Sequence, residues 1–316
     1  MGRERAPGRG VVACAIFLFA PLCIAQSPEP RPWNLMLRTF MSRDSNVALA
    51  ADETTFSGER VTTVFGAGLS GDYRLYRDAE WTFGATGTAL QTYNADSNLR
   101  DFNLTSVAPG LVARRAFRVN DRPAALTMNY AAHRAWLGGS GFSSGQLFAV
   151  DVGVRPSFTL DLGAFGGVGY NEFDAQGPSP ASSSRDAISY RGGLRAAKSF
   201  NRNRQAIQAS LMYVKNDAKG ANFVFEGPAA NLQFTSYLVG PWAVAVGVGY
   251  SSVEYTNYEP LPRRESTSTD YRLTVFGPLS KKLGADVSFS RSQYGSNQSA
   301  FRADRENITL GLTYSF

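Results

Sequence analysis

The chain of 316 residues contains a single histidine, His133. An imidazole titrates near neutral pH, so a lone histidine is the first candidate for a general base. Ala131 and Ala135 lie two residues before and after it, on the same face of an extended strand. Neither residue offers a carboxylate or hydroxyl that would orient the ring. We therefore interpret His133 as a solvated side chain, and we expect no enzymatic activity.

Charged residues recur at positions that alternate with apolar ones along the chain. We predict that these charges, together with His133, face a water-filled interior, because a charge that faces lipid at midplane costs about 2–4 kcal/mol. The set consists of Asp72, Arg74, Asp101, Arg115, Asp151, Asp161, Arg191, Arg195, Arg272, Asp286 and Arg305. Such residues form either a selectivity field for permeating ions or cross-strand pairs that brace a wall. For any single residue we favour a cross-strand pair that braces the wall. The mixed signs of the set predict no strong preference for anions or cations.

Asp44 and Asn46 carry oxygen atoms that could bind a cation. Two ligands do not make a site, and Asp and Asn commonly close turns through their own backbone. We therefore favour a turn here, and the sequence predicts no metal or cofactor. The net charge of +6 is spread without a dense basic cluster, so no nucleic-acid partner is expected.

Residues 1–25 have the composition of a secretory signal peptide. A basic start precedes an apolar run over residues 11–20, and the small residues Cys23 and Ala25 stand three and one positions before the predicted cleavage site. Both cysteines, Cys14 and Cys23, lie in this segment. The exported chain is therefore expected to lack disulfides and thiolate metal sites.

The remaining chain, residues 26–316, repeats one unit: a strand, a tight turn, a second strand and a longer polar loop. Within the unit at residues 61–93, Phe65, Leu69 and Tyr73 fall on one face of the first strand, and small or polar residues fall on the other. This period of two predicts strands with one apolar face. We predict a single all-β domain, a transmembrane antiparallel up-and-down β-barrel of about 14 strands.

Connection lengths alternate along the predicted barrel. Short turns are predicted after Leu75, Phe117, Val154, Phe200, Val239 and Leu279. Longer segments are predicted at residues 43–58, 95–100, 138–145, 174–185, 216–221, 256–269 and 295–303. In such barrels short turns face the periplasm and long loops face outward, so both termini are expected to be periplasmic.

The pattern also assigns side chains to the two faces of the wall. Phe102 and Leu104 are assigned to lipid, in a hairpin with Leu126, Met128 and Tyr130. Many positions on the opposite face are small, such as Gly66 and Gly68. An interior lined in this way is expected to contain space for water, an infolded loop or a partner.

The last nine residues alternate strictly and end on an aromatic residue. Their apolar side chains are Ile308, Leu310, Leu312, Tyr314 and Phe316. A soluble β-sandwich would also show alternating strands, but it would not need this terminal pattern. The segment resembles the signal that the bacterial barrel assembly machinery reads, so we expect that machinery and outer-membrane lipid as partners. It is also predicted to close the barrel by pairing with the first strand, at residues 33–41.

A first strand that ends in Asp44-Ser45-Asn46-Val47, followed by a long loop and an aromatic hairpin, resembles the C-terminal barrel of surface lipoprotein assembly modifiers and related barrels. The helical-repeat domain of that family is not expected between residues 26 and 33. The resemblance and the periodicity together predict an outer-membrane location. The expected function is a passive pore or channel component for a small solute or polymer. The alternative is a translocation or assembly scaffold that works with a periplasmic partner.

Overall fold

The computed structural model describes residues 31–47, 61–174, 184–258 and 262–316. The predicted signal peptide at residues 1–25 lies outside these ranges and stays a prediction. Much of the loops predicted at residues 43–58 and 174–185 also lies outside them.

The described chain folds into fourteen strands, which agrees with the predicted count of about 14. The strands are β1 (Trp33–Asp44), β2 (Thr62–Arg77), β3 (Trp81–Asn94), β4 (Leu104–Val119), β5 (Arg122–Leu137), β6 (Ser140–Ser157), β7 (Leu160–Phe173), β8 (Ala187–Phe200), β9 (Gln205–Ala218), β10 (Phe225–Tyr237), β11 (Ala243–Glu254), β12 (Glu265–Pro278), β13 (Leu283–Ser296) and β14 (Ala303–Ser315). Short 3-10 helices occupy three of the connections: Ser97–Phe102, Ala221–Phe223 and Ser299–Phe301. Within the described ranges, no helix is long and apolar enough to cross a membrane.

The strands form one closed antiparallel barrel in which each strand pairs with its neighbours in sequence. The barrel closes between β1 and β14, where the register runs from Met36 opposite Ser315 to Asp44 opposite Asn307. Closure satisfies the backbone hydrogen bonds of both terminal strands, which an open sheet edge in lipid could not do. The predicted role of residues 308–316 as the closing strand is confirmed.

Side chains of each strand point alternately to the two faces of the sheet. The side chains that point outward are mostly apolar, so the outer surface of the barrel is apolar. Large apolar side chains on this surface are exposed, with Leu211 at 67% and Leu194 at 65%. The terminal strand contributes Ile308, Leu310 and Leu312 to the same surface. A belt of this kind around a closed barrel is a surface that faces lipid.

The two ends of the barrel differ in their connections. At the end we call the turn end, short turns join the strands, and the chain enters β1 and leaves β14 there. One of these turns, Asn120-Asp121, has φ angles of 47° and 60°. Two consecutive residues with positive φ form the tight hairpin turn that Asn and Asp tolerate. At the opposite end, the loop end, most connections are longer.

One loop predicted to be long is a tight turn instead. Residues 138–145 were expected to form an extended connection, but β6 begins at Ser140 and only Gly138 and Gly139 join it to β5. Their φ angles are +57° and +84°. Glycine adopts this backbone without strain, so the pair ends the hairpin at once and the following residues continue the strand.

The faces of β4 differ from the sequence prediction near the loop end. Phe102 belongs to a 3-10 helix, and Leu104 pairs with Leu137 on the inward face. The outward residues of β4 are instead Val107 and Leu111. A strand read one residue out of phase moves its whole apolar set to the other face, and the unexpected helix caused that phase error.

Candidate functional site

The interior wall of the barrel carries the polar side chains that could act on a solute. Residues directly opposite each other on paired strands share a face, so the register shows which charges point inward. The following predicted residues lie on the inward face: Asp72, Arg74, His133, Asp151, Asp161, Arg191, Arg195, Arg272, Asp286 and Arg305.

Two predicted residues do not line the lumen. Arg115 pairs with Trp81 on the outward face, where its guanidinium lies 5.5 Å from the Trp81 ring and 3.2 Å from Glu80. It stands near the turn end, where an arginine can keep its charge in water. Asp101 lies in the 3-10 helix Ser97–Phe102 between β3 and β4, and therefore belongs to a loop.

A cluster around Arg195 joins strands β6, β7 and β8. Arg195 donates from Nε and Nη2 to the two oxygens of Asp151, at 2.7 Å each, and from Nη1 to Asp161 at 2.5 Å. Arg155 stands 3.9 Å from the second Asp161 oxygen. These charge-assisted bonds hold the Arg195 guanidinium against the wall, and the charges of Arg195 and Arg155 together balance those of the two carboxylates.

Two glycines make the flat position of Arg195 possible. A Cβ added to Gly153 would lie 2.7 Å from Arg195 Nη2, and one added to Gly163 would lie 2.9 Å from its Cζ. Any larger residue at either position would therefore push the guanidinium off the wall and into the lumen. These glycines accommodate a neighbouring side chain, which the sequence alone did not reveal.

A second ion pair lies across the closing strands, between Arg38 of β1 and Asp286 of β13 at 2.7 Å. It passes over Gly311 of β14, whose added Cβ would stand 2.5 Å from Asp286 and 2.9 Å from Arg38. The Arg38 guanidinium also lies 5.6 Å from the Phe40 ring. Arg38 was not among the residues predicted to line the lumen, although its position between the outward residues Leu37 and Thr39 is the signal that identifies it.

At the loop end, Arg305 of β14 binds Asp44 of β1, and Arg305 Nε stands 3.1 Å from each carboxylate oxygen. The Asp44 side chain is only 2% exposed, and it also accepts a 3.0 Å hydrogen bond from the backbone N–H of Asn46. That second bond is the expected turn. The Asp44 carboxylate is thus bound by Arg305 and by the backbone N–H of Asn46, and the Arg305–Asp44 ion pair links the last strand to the first.

His133 lies inward near the loop end of β5, opposite Gly145. A Cβ added to Gly145 would stand 2.6 Å from the imidazole and 2.8 Å from Asn171. Within the described ranges, no hydrogen bond or ion pair joins His133 to a carboxylate or hydroxyl, and no group of acidic, His or Cys residues could hold a metal. Among the residues that the structure describes, His133 therefore has no carboxylate or hydroxyl partner that would orient the ring.

Other inward arginines make no ion pair within the described part of the chain. Arg191 of β8 and Arg272 of β12 are in this group, together with Arg77, Arg114 and Arg118 nearer the turn end. Arg272, Arg114 and Arg118 are exposed although they point inward. Water therefore reaches the interior wall.

The loop end is stiffened by an aromatic cluster outside the strands. The guanidinium of Arg264 lies between two rings, 4.0 Å from Tyr255 and 3.6 Å from Phe301. Burial lowers the pKa of Arg264 from its ordinary value, yet arginine remains charged at any physiological pH. Two loops are thereby joined beside the barrel mouth by cation–π contacts.

The dimensions of the barrel leave an open interior. Fourteen strands spaced at about 4.8 Å and tilted by roughly 40° give about 28 Å between opposite backbones. Among the described residues, the large side chains that are fully buried are Leu99, Asn46, Asn94 and Asp44, and Leu99 belongs to a loop helix. Among the described residues no packed apolar core fills the barrel, and the inward side chains line its wall.

A similar architecture is found in a solved outer membrane protein. No family model matches the sequence, and no curated protein matches it. A loop-deletion mutant of OmpT, an outer membrane protein of Vibrio cholerae, is 10% identical, with 90% of this chain and 99% of that chain covered and a TM-score of 0.50. An outer membrane channel from Pseudomonas putida F1 is 11% identical, covering 91% and 97% of the two chains with a TM-score of 0.47. A FadL homologue of Pseudomonas aeruginosa is 12% identical, covering 90% of each chain with a TM-score of 0.46.

At such low identity the first of these structures is similar in fold alone. The chain is a closed antiparallel barrel with an apolar outer belt, and it is located in the bacterial outer membrane.

Proposed function

We propose that the protein is a passive outer-membrane channel for small solutes. The observation that carries the proposal is the hydrated interior wall, on which Asp72, Arg114 and Arg272 are exposed to solvent although they point inward. A space about 28 Å wide between backbones leaves an aqueous path after side chains are subtracted.

The ion pairs of the described wall hold their side chains in place, which supports a passive pore. Arg195 lies flat over Gly153 and Gly163, and the Arg38–Asp286 pair lies flat over Gly311. Side chains held against the backbone do not obstruct the path, and their paired charges are already compensated. A solute can then pass by diffusion, because the wall offers water-like contacts along its length.

We expect the turn end to face the periplasm and the loop end to face the cell exterior, as is usual for outer-membrane barrels. Solute would enter past the Arg264 cluster, whose cation–π contacts hold the mouth in shape. The proposal requires no catalytic group, and His133 serves as one more polar side chain of the wall.

Conductance in planar lipid bilayers tests the proposal. Purified barrel, shown to be folded by heat-modifiable migration in gels, should produce stepwise current increases that stay open at low voltage. The same sample denatured before addition is the control. Folded protein that inserts into the bilayer and carries no current would refute the channel function.

The second candidate is a translocation or assembly scaffold, in line with the resemblance to the barrels of surface lipoprotein assembly modifiers. It is favoured by apolar side chains at the turn end, where Phe158 is 100% exposed and Val239 is 81% exposed. A periplasmic partner could cover such residues. This candidate predicts a barrel that is silent in bilayers and that crosslinks from position 158 to a periplasmic protein in cells.

A further inference from the structure

The ion pairs of the lumen are not balanced between the two signs of charge. The aspartates of the inward wall are mostly neutralised by arginines from neighbouring strands. Arg195 holds Asp151 and Asp161, Arg38 holds Asp286, and Arg305 holds Asp44. Most of the negative charge on the wall is therefore cancelled locally.

Several inward arginines have no such partner among the described residues: Arg77, Arg114, Arg118, Arg191 and Arg272. The inward carboxylates outside the ion pairs of the described wall are Asp72 and Asp270. Asn34 approaches Asp72 at 3.4 Å, and Ser292 donates to Asp270 at 2.5 Å. The charge that remains uncompensated on the described wall is therefore positive.

Arg191 and Arg272 stand near the middle of their strands, β8 and β12, where every permeating solute must pass. In register, Arg191 has Gly167 and Val214 on either side. Neither neighbour can accept a hydrogen bond through its side chain, and Arg191 makes no ion pair among the described residues, although its Nε would lie 3.4 Å from a Cβ added to Gly167.

Arg272 has small neighbours in the same way, with Gly247 on β11 and Ser290 on β13. Asp270, two residues away on the same face, is bonded to Ser292 instead. Because Arg272 is exposed, its guanidinium donors are open to solutes in the lumen.

We propose that the lumen selects for anionic solutes, and that Arg191 and Arg272 are the residues that contact them. This inference rests on the proposed channel function and names its substrate class. Guanidinium groups recognise carboxylates and phosphates through paired N–H donors. The mixed charges of the sequence predicted no strong preference for anions or cations. Because most of the inward aspartates are paired with arginines, they contribute little to the electrostatic field in the lumen, and the unpaired arginines determine its sign.

The reach of this field depends on salt. The Debye length is about 10 Å at 0.1 M ionic strength and about 3 Å at 1 M, while the lumen extends about 14 Å from its axis to the backbone. Unpaired arginines therefore influence a solute near the axis at low salt and only solutes at the wall at high salt. Selectivity should follow the same trend.

The reversal potential of single channels under a tenfold KCl gradient tests the proposal. The wild-type barrel should pass chloride several-fold more readily than potassium near 0.1 M salt, and the ratio should approach one near 1 M. The double substitution Arg191→Gln and Arg272→Gln should lower the chloride-to-potassium ratio at least twofold at low salt. Each single substitution, Arg191→Gln or Arg272→Gln, is compared with Arg43→Gln, which removes one positive charge from the outward face that Arg43 shares with Ile308.

The outcomes separate this inference from the channel function. Wild-type channels that conduct but prefer potassium, or show no preference at low salt, would overturn anion selection and leave the channel intact. A folded barrel without current would instead refute the channel itself. If the double variant fails to fold, the salt dependence of the wild-type ratio still decides the matter, since a ratio unchanged by salt contradicts a field of unpaired arginines.

Discussion

Replacing Arg195 with glutamine should destabilise the barrel and turn its wall negative at one point. The substitution removes three charge-assisted hydrogen bonds, two to Asp151 at 2.7 Å and one to Asp161 at 2.5 Å. It leaves two carboxylates from adjacent strands without their shared counter-charge. Only Arg155, at 3.9 Å from Asp161, remains close.

The expected cost lies between two limits. Exposed ion pairs contribute about 0.2–1 kcal/mol, while breaking a buried pair costs about 3–5 kcal/mol. The three side chains are each about a third exposed, at 34%, 31% and 30%, so lumen water would hydrate the freed carboxylates in part. We expect a loss of about 2–3 kcal/mol in the free energy of unfolding.

Urea unfolding in lipid vesicles, followed by tryptophan fluorescence, measures this loss. The double variant Arg195→Gln and Asp151→Asn should recover most of it, because the one carboxylate that remains, Asp161, still has Arg155 at 3.9 Å as its counter-charge. Arg43→Gln serves as the control for loss of one arginine. An Arg195→Gln barrel whose stability lies within about 0.5 kcal/mol of wild type would show that the cluster does not brace the wall.

Three further outcomes are expected elsewhere in the barrel. Gly66→Leu should reduce single-channel conductance and cost about 1–3 kcal/mol of stability, because a Cβ there overlaps the Phe40 ring and pushes it into the lumen. The hydrogen bond from the Phe173 backbone N–H at 2.8 Å lowers the pKa of the Asp186 carboxyl. Its stabilisation is thus present at neutral pH and lost as the pH falls through that lowered pKa, so Asp186→Asn should lower the melting temperature at pH 7 but not in strong acid. Phe316→Ser should reduce the amount of barrel recovered in outer membranes while leaving refolding in detergent unchanged, and equal losses in both would contradict a role in recognition by the assembly machinery.

Sequence periodicity was sufficient to predict most of the strands and their faces, because the alternation of apolar and polar residues is a property of each strand by itself. An apolar side chain at every second position faces lipid whatever strand lies beside it, so the outward set of β14 could be read from Ile308, Leu310 and Leu312 alone. Tight turns were equally local, since Asn120 and Asp121 tolerate the positive φ that such a turn needs. Where a local element was missed, as with the 3-10 helix that contains Asp101, the assignment of the neighbouring face failed as well.

Arg115 shows that alternation along a single strand does not always identify the face on which a residue lies. Its sequence neighbours gave it a lumenal assignment, but the register with β3 places it beside Trp81 on the outward face. An arginine near the end of a strand can extend into water from either face, so charge alone does not decide its direction. Register with the adjacent strand does.

The sequence by itself determined the alternating faces, the turns and the terminal strand, because these follow from the backbone preferences and side-chain period of single segments. Only the tertiary structure decided which lumenal charges are neutralised. Arg195 is 44 residues from Asp151 and 34 residues from Asp161, and the closing pair of Arg305 and Asp44 spans 261 residues. Such partners meet through the register of neighbouring strands around a closed barrel. That register is a property of the whole sheet, so a list of mixed charges could not show that the uncompensated ones are arginines.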